Sequence, residues 1–448
     1  MDDIELISLD TTQMVAASND IDYPDGWTLR RRKTMFVFLF SQYLQGMEIS
    51  TIMATLWSYV KNDFNDVDPY LWYDIISSGR FVLSLLFISI VAKWFDRTRS
   101  TKSFMLIAVS LTNVGYILYM VHFSPYIPML GLVLQGFTFI ITVIINSEIN
   151  RVYADDSIQR NFLYMLLACG FGQCIGPVML IALDHIPEFR IGAITITYGN
   201  IAGLILLIMN SIRLIFTYFF TFDLSKEFDL KSHTKPATSE NVQSSWISTV
   251  KQHFTFDVFF LVVQQIYTGF FVSFIVRCFP FVIDTLQYDN IILNVCYIGE
   301  SVAMTFTSLV IGKMNLSSKG VYGSGILCLA AMFLCHVVLF LIKRKLGGAM
   351  NIILLCLLVF IHAFCWITDQ TFIVVTLGKF VPSSVQSSTE GVRMILHLCG
   401  SFTATLTCAY IYKYFDYVMI GSAPLALFFF AVMVIRRKTL SNPRPRVK

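Results

Sequence analysis

Glu48 stands near the middle of FLFSQYLQGMEISTIMATLWSYV, residues 38–60, a run long and apolar enough to cross a bilayer. A charged side chain at that depth costs roughly 2.5–3.5 kcal/mol on insertion scales, so it is expected to face the interior of a helix bundle or water. Gln42, Gln45 and Glu48 recur at every third residue. On an α-helix this spacing holds them within an arc of about 120°, and Thr55 extends the same stripe. Such a stripe suits a binding site for a polar solute or a proton, with the carboxylate titrating and the glutamines as hydrogen-bond partners. The plainer alternative is a carboxylate buried between packed helices.

Further polar side chains interrupt later apolar runs. Gln264 and Thr268 lie one helical turn apart, with Gln265 beside them and Arg277 farther along. Arg277 is expected to snorkel to the nearer membrane interface. Glu300 occupies the next run, and His362 and Asp369 share another, about two turns apart on one face with Trp366 between them. Imidazole changes charge near neutral pH. Glu48, Glu300, His362 and Asp369 are therefore candidates for taking up and releasing a proton, and a packed structural histidine is the rival account. Arg80 and Arg213 are embedded cations, each either an anion site or the counter-charge of a carboxylate. Arg80 is six residues from Asp74 and off its helix face, so its counter-charge must come from elsewhere. Glu148 with Arg151, and Glu390 with Arg393, are spaced three apart and read as ion pairs within a helix end that contribute to a gate.

These residues belong to a chain of 448 residues, 56% hydrophobic and 14% charged, with a mean hydropathy of +0.66. One or two soluble cores could not hide that much apolar surface. Repeated apolar runs of this length indicate an all-α polytopic membrane protein, and the short alternating segments of a β-barrel are not visible. The net charge of +4 is too small to point to nucleic acid. The ten cysteines fall in or beside apolar runs, without the paired spacing of a zinc site or a disulfide framework. No metal or cofactor is expected. No Ser/His/Asp set, Walker loop or dinucleotide fingerprint occurs in the polar segments, which are too short for a catalytic domain, so the chain reads as no enzyme. The first 29 residues carry seven acidic side chains and no basic one, the opposite of a signal-peptide n-region.

Turn and charge breaks divide the chain into twelve spans, at about 34–60, 70–95, 104–122, 127–150, 161–183, 194–222, 254–282, 290–312, 321–342, 349–377, 391–412 and 417–435. With the N-terminus inside, the inner segments hold 23 Lys and Arg and the outer loops 6. Both termini are therefore expected in the cytoplasm; Lys343-Arg344-Lys345 runs against the pattern locally. The polar stretch 223–253 is the one long interruption and reads as a linker. The organisation expected is an acidic tail over 1–33, a six-helix bundle over 34–222, the linker 223–253, a second bundle over 254–435 and a basic tail over 436–448.

The loop between spans 2 and 3, AKWFDRTRSTK, resembles the signature of the major facilitator superfamily. It keeps Asp96-Arg97, with Ala92 and Arg99 where glycines usually stand. The fourth-span arginine of that family is Leu132 here, while GQCIGP supplies Gly172 and Gly176-Pro177, close-packing glycines with a helix-bending proline. Leu56, Trp57 and Tyr59, the opening WYDIISSG of span 2, and Lys379 with Pro382 are similar to the lysosomal branch of major facilitator domain-containing protein 8, the ceroid-lipofuscinosis type. Gln386-Ser387 replaces that branch's usual Gln-Gly. The resemblance implies two parallel six-helix halves in the major facilitator fold, with the first helix of each half lining a central cavity. It implies a cytoplasmic gate containing Asp96 and Arg97.

The implied activity is secondary active transport of a small polar or charged solute or ion by alternating access, proton-coupled and monomeric. Channel-like anion conduction on the same fold, with Arg80 and Arg277 supplying the field, is one alternative. A non-transporting receptor or sorting partner is another. DDIELI, with Asp2 four residues before Leu6-Ile7, fits an acidic dileucine signal for cytosolic adaptor proteins. It favours a lysosomal or endosomal membrane, the plasma membrane being the alternative.

Overall fold

The computed structural model describes residues 26–63, 68–121, 126–153, 155–183, 185–186, 189–191, 194–231, 256–288, 290–313, 318–344, 347–380 and 386–436. The sorting motif at Asp2, Leu6 and Ile7, and the loop carrying Pro382, lie outside them. The first helices are α1 (Trp27–Asp63), α2 (Pro69–Thr98), α3 (Thr101–Tyr119), α4 (Tyr126–Gln135), α5 (Phe137–Val152) and α6 (Asp155–Leu183). After the strands β1 (Phe189–Ile191) and β2 (Ile194–Ile196) come α7 (Tyr198–Phe220) and α8 (Leu224–Lys231). The second group is α9 (Phe256–Thr285), α10 (Asn290–Lys313), α11 (Ser318–Lys343), α12 (Gly348–Phe380), α13 (Gln386–Lys413) and α14 (Phe415–Ile435).

Ten helical stretches among the described residues are long and apolar enough to cross a membrane, α4 and α5 together forming one of them. α1 and α14 flank these ten. α1 starts earlier than expected because Arg30–Lys33 extend it beyond its apolar section. The all-α membrane fold is as expected, and the bound of one span changes. Residues 194–196, assigned to the sixth span by their apolar character, instead pair with β1 in an antiparallel hairpin, Arg190 opposite Thr195. The interval read as a linker begins as the short helix α8.

Within the first group α1 packs along α6; within the second, α9 packs along α13. Between the groups, α2 lies against α13 and α6 against α10. Glycines set the closest of these approaches. A Cβ on Gly46 would overlap the carbonyl of Cys169, and one on Gly172 the carbonyl of Tyr43. Gly176 is closed in by Ser50 and Thr51 of α1, and Pro177 lies within α6. The α9–α13 contact repeats the device, Gly269 against His397 and Gly400 against Ile266. Small residues allow this backbone approach inside lipid, where no hydrophobic drive separates helix faces from acyl chains. Gly172→Ala is expected to destabilise the protein by about 3 kcal/mol, the upper end for overpacking. Thermal unfolding in detergent, compared with Gly323→Ala, whose Cβ meets nothing, checks it.

The span formed by α4 and α5 is broken at Gly136. Its carbonyl accepts the Ser84 hydroxyl at 2.6 Å, and a side chain there would overlap the backbone of Arg80. The break brings α5 against α2 and fixes Arg80 and Thr138 near one another. Leu86, Ile90, Ile107, Phe219 and Ile353 are exposed and form part of the lipid-facing surface.

Candidate functional site

Glu48 and Arg80 form a buried ion pair at 3.3 Å, their side chains 1% and 3% exposed. The second carboxylate oxygen accepts the Tyr116 hydroxyl at 2.8 Å and the Thr138 hydroxyl at 3.3 Å. Four helices, α1, α2, α3 and α5, thus converge on one carboxylate. The counter-charge that Arg80 needs is Glu48, and Arg213 on α7 is a further buried cation whose field reaches it. Of the two expectations for Glu48, the carboxylate packed between helices fits these contacts, since its oxygens are met by Arg80, Tyr116 and Thr138 of the first helix group. Its neighbours on the stripe are also buried. Gln45 accepts from Thr142 at 3.0 Å, Thr55 meets Tyr119 at 2.7 Å, and Gln42 is 8% exposed.

A cavity of about 100 Å³ lies between the two helix groups. Its apolar wall includes Met53, Phe81, Phe139, Val272, Trp366 and Leu398, and its polar wall includes Arg80, Arg277, Tyr297, Glu300, Gln173 and His397. Arg277 was expected at the membrane interface. It is 2% exposed and turned inward instead, with its guanidinium 5.7 Å from the centre of the Tyr73 ring. A cation with the chance to snorkel does so only when nothing inside competes for it, and here the cavity and the Tyr73 face do. Glu300 Oε1 lies 2.9 Å from His362 Nδ1, and His362 Nε2 donates to the carbonyl of Val272 at 3.1 Å. With its hydrogen given to that carbonyl, neutral His362 would present a lone pair to the carboxylate. The contact becomes a hydrogen bond only when one of the two partners carries a further proton.

His362 and Asp369, expected on one face, serve two networks. Asp369 accepts from Gln265 and Thr268, each at 3.3 Å. Gln265 in turn accepts from Arg393 at 2.9 Å, and Arg393 holds Glu390 in a two-point contact at 2.8 and 2.7 Å. Gln264 is fully buried and its side chain makes no hydrogen bond among the described residues.

On the face where Arg30–Lys33 and the α2–α3 turn gather, here the basic face, the helix groups are fastened together. Asp96 on α2 accepts the backbone N–H groups of Ser387 and Ser388 at 3.1 and 2.8 Å, at the start of α13. It also accepts the Ser388 hydroxyl and pairs with Arg151. Asn146 on α5 donates to Glu390 at 2.8 Å. Two expectations change here. Arg151 reaches across to Asp96, while Glu148 receives the Ser225 N–H and hydroxyl at 2.9 and 2.6 Å and so fixes α8. Arg97 is exposed and joins no ion pair among the described residues, because the α2 helix turns its side chain away from α13.

The opposite face is closed mainly by rings. Phe281 on α9 packs between Trp57 at 5.7 Å and Tyr70 at 5.0 Å. Asp284 accepts Lys61 at 2.9 Å and also the Tyr70 hydroxyl. Buried Asp74 accepts the Ala409 backbone N–H at 2.8 Å. Contacts between the helix groups thus lie on both sides of the cavity. Sequence reasoning missed Tyr116, Thr138, Asn146, Tyr297 and Asp284. Only Tyr297, three residues from Glu300 and hence on its helix face, carried a signal that could have found it.

The fold is similar to that of solved structures. The human organic anion transporter MFSD10 (TETRAN) superposes with a TM-score of 0.63 at 12% identity, covering 89% of this chain and 99% of that one. The proton:xylose symporter XylE, bound to 6-bromo-6-deoxy-D-glucose, gives 0.70 at 12% identity, covering 93% and 97%. A bacterial homologue of the iron transporter ferroportin, in its outward-facing state, gives 0.63 at 12%, covering 91% and 99%. The fold is the major facilitator fold. A family model described as "Uncharacterised MFS-type transporter YbfB" matches residues 78–213, from mid-α2 through Arg213. No curated protein matches the chain in sequence.

Proposed function

We propose that this protein is a secondary transporter of the major facilitator type that carries a small solute by alternating access, coupled to a proton on the Glu300–His362 contact. The observation that carries the reading is the cavity between two separate closures, each built from contacts between the helix groups. A carrier needs two such closures that open in turn, whereas a pore needs a continuous path. MFSD10, XylE and the ferroportin homologue are transporters by name, which supports the activity.

Two engineered cross-links test it in vesicles. Ala92→Cys with Gly391→Cys joins the basic closure, where the two residues touch, and Lys61→Cys with Asp284→Cys, bridged by a short bis-methanethiosulfonate spacer that replaces the lysine's length, joins the opposite one. Each cross-link is expected to cut net flux at least tenfold, with recovery on reduction. Flux that persists through both cross-links refutes alternating access, and ohmic conductance that survives either one identifies a channel.

The same reading places the basic face in the cytosol and the protein in a lysosomal or endosomal membrane. The stretches that resemble the ceroid-lipofuscinosis branch and the acidic tail with Asp2 and Leu6-Ile7 support it. Replacing Leu6 and Ile7 with alanine is expected to move most of the protein to the plasma membrane, as surface biotinylation would read. An unchanged distribution removes the signal.

A further inference from the structure

Several buried donors in the cavity wall lack acceptors, Arg80 Nε among them, and two sit on side chains that join no ion pair among the described residues. Arg277, 2% exposed, has its Nη1 without a hydrogen-bond partner, and Tyr297, 3% exposed, has its hydroxyl without one. Burying a guanidinium and a phenol with unmet hydrogen-bonding capacity is costly. Both side chains line the same cavity, so both costs are removed by one ligand that accepts at two points there. Arg80, the other cation of the wall, already has Glu48. Much of the remaining wall is apolar, with Phe81, Phe139 and Trp366 among its residues.

We propose that the cavity binds a small organic monocarboxylate with an apolar or aromatic body, its carboxylate held by Arg277 and Tyr297, and that it enters together with one proton on Glu300–His362. Counted over the cavity wall and the ion pair behind Arg80, the charges set the stoichiometry. Arg80 and Glu48 cancel. With the shared proton present, Glu300 and His362 together are neutral, leaving the single positive charge of Arg277 to be met by one carboxylate. With that proton absent, Glu300 supplies the negative charge itself and the ligand's carboxylate is repelled. Symport is therefore electroneutral, one proton with one monoanion. A guanidinium suits this role because two parallel N–H groups match a carboxylate.

Other ionisable groups surround these two. Tyr73 and Asp74 approach Arg277 from α2, Cys169 faces Glu300 from α6, and His397 joins the wall from α13 beside Arg393. Asp74 belongs to the ring closure, held by Ala409, and does not line the cavity. Asp74→Asn is accordingly one control, and His185→Gln, an exposed imidazole away from the wall, is the other.

The inference rests on the proton-coupled reading above, and binding to the solubilised full chain tests it independently of any flux. The probes are acetate, 3-methylbutanoate, benzoate and indole-3-acetate, each against its neutral amide, by calorimetry at pH 5.5 and pH 8. Carboxylates are expected to bind at least tenfold more tightly than their amides at pH 5.5, with acetate weakest, and to lose at least tenfold at pH 8. Arg277→Gln should remove the carboxylate preference. Tyr297→Phe, which keeps the ring in place, should weaken it severalfold. Glu300→Gln should make binding independent of pH, while the two control variants keep the wild-type dependence. Amides binding as well as acids, or an unchanged preference in Tyr297→Phe and Arg277→Gln, overturns the proposal. A carboxylate preference that Glu300→Gln leaves pH-dependent overturns the proton's place. Carboxylate binding without any coupled flux would retain the site and reject the transporter reading instead.

Discussion

Glu48→Ala is expected to destabilise the protein by about 3–5 kcal/mol, the cost of stripping one partner from a buried ion pair. Arg80 would keep a full charge at 3% side-chain exposure with no carboxylate near it, and the hydroxyls of Tyr116 and Thr138 would lose their acceptor. Arg277, whose charge opposes that of Arg80, would add repulsion, and Arg213 would lose the same carboxylate. The effect belongs to the uncompensated cation rather than to lost attraction, so removing both charges together should recover most of it. Glu48→Gln combined with Arg80→Met is therefore expected to unfold near the wild-type temperature, whereas Glu48→Ala unfolds well below it. Detergent-solubilised protein followed by intrinsic fluorescence is sufficient. Wild-type stability in Glu48→Ala would mean that the pair does not organise the first helix group.

The second large effect concerns transport. Glu300→Gln is expected to lower proton-driven accumulation at least tenfold while leaving solute exchange across the vesicle near wild-type rates. A glutamine amide can donate directly to His362 Nδ1, so the contact closes without the additional proton that the carboxylate requires. The variant then resembles the proton-loaded state permanently. It can cycle with solute bound and cannot convert a pH gradient into a solute gradient. Wild-type accumulation should rise as the loading side is acidified, and the variant should show a flat response. A variant that still accumulates solute against a gradient would move the coupling site elsewhere, with Asp369 the next acid to replace.

Much of this was readable before any coordinates. Runs of apolar residues, the loop with Asp96-Arg97 and the glycines of GQCIGP all lead to the fold, because membrane depth and close helix approach leave a strong local imprint on sequence. Which way each polar side chain turns is another matter. Glu48 and Arg277 were both read from position along a helix: Glu48 meets the plainer of its two alternatives, and Arg277 turns inward rather than to the interface. A helix face is defined by the stripe it carries, but its neighbour is decided by the packing of four or more helices at once. The break at Gly136, which presents Arg80 and Thr138 to Glu48, is recorded in a single glycine amid apolar residues. Asp96 and Arg151 lie 55 positions apart, and Asn146 and Glu390 lie 244 apart. No spacing rule reaches such pairs. Glu390 with Arg393 was legible because it sits within one helical turn.

The glycine contacts between α1 and α6, and again between α9 and α13, bring main chain against main chain. Such seams contain no side-chain cushion, and side-chain rearrangement is the usual means by which one packed helix glides over another. Each pair must turn as a single leaf, like the covers of a book about its spine. Shear is left to the looser junctions of α2 with α13 and of α6 with α10, where the leaves meet.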